Sequence, residues 1–169
     1  MRYFYSLIAF LFLTTTVFGQ KKLERTLDQL NSESVPYIYV NELKQETTPI
    51  FLDTRQQKST KVSHLKDAIW VGYKTFDQDA VTAKIIDKNT PIVVYCSIGV
   101  RSEDIGEKLL KAGYTDVRNL YGGIFEWKNQ GNSVYNNDTT ETDSVHTFNK
   151  KWGKLLNNGV KVYDTNQSN

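Results

Sequence analysis

Short apolar runs separated by polar, helix-forming stretches set the rhythm of this chain. Val35-Pro36-Tyr37-Ile38-Tyr39-Val40 reads as a short strand, and Pro36, which lacks an N–H, favours a sheet edge. Asn41 is placed to cap a short helix reaching Gln45. Pro49-Ile50-Phe51-Leu52-Asp53 is a compact apolar run ending on a carboxylate, the pattern of a buried parallel strand. Residues 54–66 are polar and read as a long loop, and Ala68-Ile69-Trp70-Val71 as a further short strand. Val81, Ile85 and Ile86 give helical spacing between Asp77 and Lys88, broken at Asn89-Thr90-Pro91. Ile92-Val93-Val94-Tyr95 is the most apolar strand.

After a loop, a helix opens with Ser102 as N-cap and Glu103 and Asp104 in its first turn. Ile105, Leu109 and Ala112 share one face, and Gly113 closes the helix. Residues 116–120 are a strand candidate, and Gly122-Gly123 opens a helix carrying Ile124 and Trp127. Continuous apolar strands alternating with helices mean a central parallel sheet flanked by helices, an α/β fold. Ligands of such sheets bind at the carboxyl ends of strands, where Asp53 and Cys96 both fall.

Both ends of the chain depart from this rhythm. In residues 1–19, Arg2 precedes an apolar run from Leu7 to Leu13 and Gly19 marks a cut site, the arrangement of a signal peptide. A bilayer span needs about 20 apolar residues, more than this run supplies. The expectation is an exported protein, periplasmic or secreted, without stable membrane insertion after cleavage. Residues 20–34 form a polar lead-in with about one helical turn, and residues 132–144 a polar linker. Phe148, Trp152, Leu155 and Leu156 recur at the spacing of a short amphipathic helix in a C-terminal appendage, 145–169. Val160–Tyr163 adds an extended segment.

The 169 residues are 39% hydrophobic and 24% charged, a globular balance. Net charge is +2, with Arg2 the one charge in residues 1–19. So even a balance gives no electrostatic case for nucleic acid or an anionic membrane surface. Two histidines and one cysteine, unclustered, argue against a metal site.

That one cysteine, Cys96, lies between the strand and the helix. Loop N–H groups and the positive end of the helix dipole favour its thiolate, which is the nucleophile. With no second cysteine in the chain, covalent chemistry here involves an outside molecule. Disulfide exchange is disfavoured for the same reason, since it needs a resolving thiol. The plain alternative is a small buried hydrophobe, but Gly99, Arg101 and Ser102 directly after the thiol argue against it.

Three motifs in order now resemble the single-domain rhodanese-like sulfurtransferases, over residues 35–131. Phe51-Leu52-Asp53-Thr54-Arg55 is similar to the family's strand ending in Asp-x-Arg. Ser63-His64-Leu65-Lys66-Asp67-Ala68 sits where the family has Gly-His-Ile-Pro-Gly-Ala, but lacks both glycines and the proline. Tyr95-Cys96-Ser97-Ile98-Gly99-Val100-Arg101-Ser102 matches Cys-x-x-Gly-x-Arg-Ser. Asn119-Leu120-Tyr121-Gly122-Gly123 and Trp127 also fit, while Ser59 replaces a frequent glutamate.

The resemblance implies a persulfide on Cys96, with a small sulfur donor such as thiosulfate and a thiol or cyanide acceptor. A protein sulfur acceptor is a further candidate, and no cofactor is implied. Ser97, Ile98, Gly99, Val100, Arg101 and Ser102 would cradle the sulfur, with Asp53, Arg55 and His64 supporting. Asp53 would accept loop N–H groups, Arg55 would make a structural ion pair, and His64 would staple a loop. Cysteine-dependent phosphatases place arginine after five intervening residues; here four separate Cys96 from Arg101, a ring better sized for sulfur. The competing expectation is a non-enzymatic sulfur carrier or partner-binding module.

Overall fold

The computed structural model describes residues 21–43, 49–137 and 139–164. The expected signal peptide therefore lies outside the described residues. Five strands form one parallel sheet: β1 (Tyr37–Ile38), β2 (Ile50–Asp53), β3 (Ile69–Trp70), β4 (Ile92–Tyr95) and β5 (Val117–Leu120). Their order is β1-β5-β4-β2-β3, so the most apolar strand is central and the strand after Pro36 is an edge. The rhodanese-like α/β expectation is met.

Side chains of a strand alternate between faces, and β4 feeds both. Ile92 and Val94 join a cluster with Val81, Ile85, Ile105 and Leu109, under α4 (Gln78–Lys84) and α5 (Val100–Lys111). Val93 and Tyr95 face the other way. There they meet Leu23 and Leu27 of α1 (21–30) and Ile124 and Phe125 of α6 (Gly123–Asn129). Burial on both faces explains why β4 is apolar throughout.

Several local expectations are corrected. The lead-in is a helix because Leu23, Leu27 and Leu30 recur at i, i+4 and i+7, and the first two are buried. The helix α2 (Val40–Leu43) starts before Asn41, with Glu42 rather than Asn41 accepting the Tyr39 N–H; residues 44–48 lie outside the described residues. The polar stretch 54–66 contains α3 (Gln57–Val62), whose Ser59 and Thr60 are buried but hydrogen-bonded. No apolar periodicity marks such a helix, because its buried side is polar.

Helix α5 begins at Val100, capped by Gly99 at φ 104°, so Ser102 is an interior residue and not the N-cap.

Within the expected linker, β6 (Val134–Tyr135) and β7 (Glu141–Thr142) pair antiparallel, and Val134 is in the core. Beyond it, β8 (Ser144–Phe148) pairs parallel with β9 (Val160–Tyr163), joined through α7 (Lys150–Gly153). The expected longer helix fails because Phe148 has φ +62° and the Asn149 side chain caps α7 by accepting the Trp152 N–H. The apolar spacing of Phe148, Trp152, Leu155 and Leu156 thus spans a strand end, a short helix and a coil.

Val145, Leu155 and Leu156 pack into the same core as Ile124 and Phe125. The end of α6 fastens this segment: Asn129 donates to the Leu155 carbonyl at 3.0 Å, and Lys128 pairs with Asp143 at 2.7 Å. Leu156→Ala should therefore cost about 2–5 kcal/mol in urea unfolding. A loss under about 0.5 kcal/mol, the level of a surface change, would show that the C-terminal segment is not part of the core.

Candidate functional site

Cys96 directly follows β4, at the carboxyl edge of the sheet. Asp53 ends the neighbouring β2 and lies in register with Tyr95. The Thr54 N–H and hydroxyl both donate to the Tyr95 carbonyl, at 2.9 and 3.0 Å. The backbone just before the thiol is thereby fixed.

The loop after Cys96 is shaped by close approach. The Ile124 N–H donates to the Cys96 carbonyl at 3.0 Å and the Phe125 N–H to the Ser97 carbonyl at 3.1 Å. A Cβ on Gly123 would stand 2.4 Å from the Cys96 carbonyl oxygen, so only glycine permits this contact. Gly99 takes a positive φ that turns its own N–H back to Cys96 Sγ at 3.2 Å. The Gly99 carbonyl accepts Asn119 Nδ2 at 2.8 Å and Asn31 Nδ2 at 3.1 Å, and Ser102 Oγ donates to Asn119 Oδ1 at 2.8 Å. Asn119 so braces the loop from β5, a role unassigned from sequence, although a polar residue inside an apolar strand was its signal.

These contacts decide the state of the thiol. Burial alone pushes Cys96 up, because it disfavours the charged form. The Arg101 guanidinium and the N–H groups of Ile98, Ser102 and Gly99 outweigh burial and hold it below the ordinary thiol range. Arg101 Nη2 reaches Ser97 Oγ at 3.5 Å, and its guanidinium carbon lies 5.1 Å from the centre of the Phe148 ring. Cys96 is only 1% exposed, yet it lines a pocket of about 280 Å³ with Ser97, Ile98, Val100 and Arg101. Leu30, Phe148 and Trp152 complete the lining.

A model of the family described as Rhodanese-like domain matches residues 38–130. The chain belongs to the rhodanese-like family. It is 26% identical over 96 residues to a thiosulfate sulfurtransferase GlpE of Coxiella burnetii, covering 57% of this chain and 87% of that protein. It is 35% identical over 91 residues to a tRNA uridine(34) hydroxylase of Hamiltonella defensa. That match covers 52% of this chain but only 26% of the longer relative. Among solved structures, the rhodanese-like domain of the Anabaena sp. Alr3790 protein aligns with a TM-score of 0.53 at 22% identity, over 60% of this chain and 79% of that one. A rhodanese-related protein of Thermoplasma volcanium aligns at 0.50 and 22%, over 59% and 96%.

Two of the residues expected to support the loop, Asp53 and Arg55, pair with each other and reach Tyr95, the residue before the thiol. Asp53 and Arg55 are fully buried and paired at 2.6 Å. Asp53 accepts from the Arg55 N–H at 2.9 Å, from Thr60 Oγ1 at 3.0 Å and from the Tyr95 hydroxyl at 3.0 Å. Burial pulls the Arg55 guanidinium down, but Asp53 outweighs it and keeps the charge in place. Burial, then Asp53, pushes the Tyr95 hydroxyl up, so it stays a donor. His64 is elsewhere: it exchanges backbone hydrogen bonds with Tyr135, its Nδ1 lies 2.9 Å from the Leu65 carbonyl, and it does not line the Cys96 pocket.

Because Arg101 is the strongest influence lowering the thiol, Arg101→Gln should raise the pH midpoint of Cys96 alkylation. The parent midpoint should lie below the usual value of about 8.5. Mass spectrometry of iodoacetamide-treated protein between about pH 6 and 9 reads both; equal midpoints would remove Arg101 from this role. Gly123→Ala should slow alkylation and destabilise the fold by about 1–3 kcal/mol. Its Cβ has no room beside the Cys96 carbonyl, so unchanged alkylation would contradict the packing described.

Proposed function

We propose that this chain is an exported sulfurtransferase, moving sulfane sulfur from a donor such as thiosulfate to a thiophilic acceptor through Cys96. The observation that carries this reading is the single thiol, held low by Arg101 and loop N–H groups and lining a pocket together with Arg101. The thiolate attacks the donor's outer sulfur. The S–S bond of thiosulfate breaks, its electron pair leaves with sulfite, and Cys96 carries a persulfide. Cyanide or a thiolate then attacks that outer sulfur, and the electron pair returns to Cys96. No proton need be supplied in either step. The name of the Coxiella relative supports the donor chosen. Four residues between Cys96 and Arg101 favour sulfur over phosphate as the cargo. Export is supported by the Arg2, Leu7–Leu13 and Gly19 pattern, which suits a protein working in a periplasm or outside the cell.

One observation favours a second reading, a sulfur carrier or partner-binding module without turnover: the thiol is only 1% exposed. The two readings separate in one experiment. The purified protein is incubated with thiosulfate, weighed, and then given cyanide. We expect the mass of one added sulfur, absent in Cys96→Ala, removed by cyanide, with thiocyanate formed over many cycles. Loading without repeated turnover would leave only a carrier. No loading from any sulfane donor at several pH values would overturn both sulfur-based readings.

A further inference from the structure

The wall of the Cys96 pocket opposite the loop is built outside the span matched by the family model, 38–130. Leu30 comes from the end of α1, Phe148 from the end of β8, and Trp152 from α7. Leu30 is half exposed despite its size, as a pocket rim residue would be. Among the described residues, Arg101 is the one cationic residue in the lining, and Phe148 already lies against its guanidinium.

Phe148 is held there at a cost in backbone conformation. Its φ of +62° is rare for a bulky residue, and the β8–β9 register shifts between His146 and Phe148. Such strain persists only where surroundings over-determine it, and it concentrates where a side chain must be aimed. The surroundings are on hand. His146 Nδ1 lies 2.8 Å from Ser59 Oγ and its Nε2 3.0 Å from Asp164, which also pairs with Lys58 at 2.7 Å. The Asp164 N–H donates to the Phe148 carbonyl at 3.2 Å.

We propose that Leu30, Phe148 and Trp152 make this site select sulfane donors with an apolar, ring-sized body over the small inorganic anion thiosulfate. The proposal rests on the sulfur-transfer reading above and names its substrate class. A dianion entering this pocket would lose its hydration against three apolar walls and gain one cation. An aryl or branched-alkyl persulfide or thiosulfonate puts its ring against those walls and its terminal sulfur at Cys96. The chemistry balances. Cys96 thiolate attacks the outer sulfur, the S–S bond breaks, and its electron pair leaves on the organic thiolate, or on the sulfinate of a thiosulfonate.

Three donors test it: benzenethiosulfonate, methanethiosulfonate and thiosulfate. Persulfide formation on the purified chain is timed by mass, and each rate is divided by that of free cysteine to remove leaving-group differences. The corrected preference for the benzene over the methane donor should exceed about tenfold, as apolar pockets discriminate. It should fall below about threefold in Trp152→Ala and in Leu30→Ser. Leu30 is half exposed, so this second variant does not threaten the core. Trp152→Phe should keep the preference. A preference near one in the parent, or one unmoved by both variants, overturns the proposal. Loading by thiosulfate but by neither organic donor also overturns it and leaves sulfur transfer standing. No loading by any of the three overturns sulfur transfer itself, and the substrate class with it.

Discussion

A fully buried ion pair, Asp53 with Arg55, holds the ground on which the reactive loop stands. The carboxylate gathers the end of β2, the Thr60 hydroxyl of α3 and the Tyr95 hydroxyl of β4. From the other side, Arg55 Nη2 donates to the Ser63 carbonyl, and the Leu65 N–H donates to the Tyr95 oxygen. Tyr95 is the residue before the thiol. Two charges out of water are costly, and hydrogen bonds offset that cost here although Arg55 Nη1 is buried without one. Losing one partner of such a pair typically costs about 3–5 kcal/mol. The pair therefore acts less as a source of net stability than as a device that permits one arrangement of three elements beneath Cys96.

Above that base, the thiol is tuned by opposing effects. Burial disfavours a thiolate, and Cys96 is almost fully buried, so an inert thiol is the default outcome. Arg101 and three backbone N–H groups reverse it. The N–H groups can converge because Gly99 accepts a left-handed φ and Gly123 lets α6 touch the loop backbone. Asn119 and Asn31 then hold the Gly99 carbonyl from two further elements. The site's charge preference thus comes first from the Arg101 guanidinium and then from a backbone conformation fixed by contacts from β5, α1's trailing residues and α6.

What was legible in the sequence divides along physical lines. Strands β2 and β4 were legible because burial in a two-sided parallel sheet makes them almost continuously apolar, and the Cys96 loop because its chemistry is local. Helix α3 was hidden because its buried residues, Ser59 and Thr60, are stabilised by partners distant in sequence rather than by an apolar stripe. The start of α5 was misplaced because glycine at positive φ capped it before the better side-chain cap, Ser102, was reached. At the C-terminus, Phe148, Trp152, Leu155 and Leu156 gave a helical signal without a continuous helix. Spacing reports that side chains share a buried side, not which backbone puts them there. The link from Ser59 to His146 joins residues 87 apart and left no local trace.

That link bears on how a shared fold acquires its own specificity. Ser59 is buried in α3, and its short side chain leaves room beside it for an imidazole. His146 takes that room, with burial holding it below the ordinary histidine range, so it is neutral and can bridge Ser59 and Asp164. A neutral bridge at this position anchors β8 against α3 beside the Lys58–Asp164 ion pair. Anchoring β8 in turn fixes Phe148 in a conformation it would not adopt alone. One buried serine in a polar helix is thereby coupled, through a buried histidine, to the apolar wall facing Cys96. The core fold supplies the nucleophile, and the segment beyond it shapes what the nucleophile can meet.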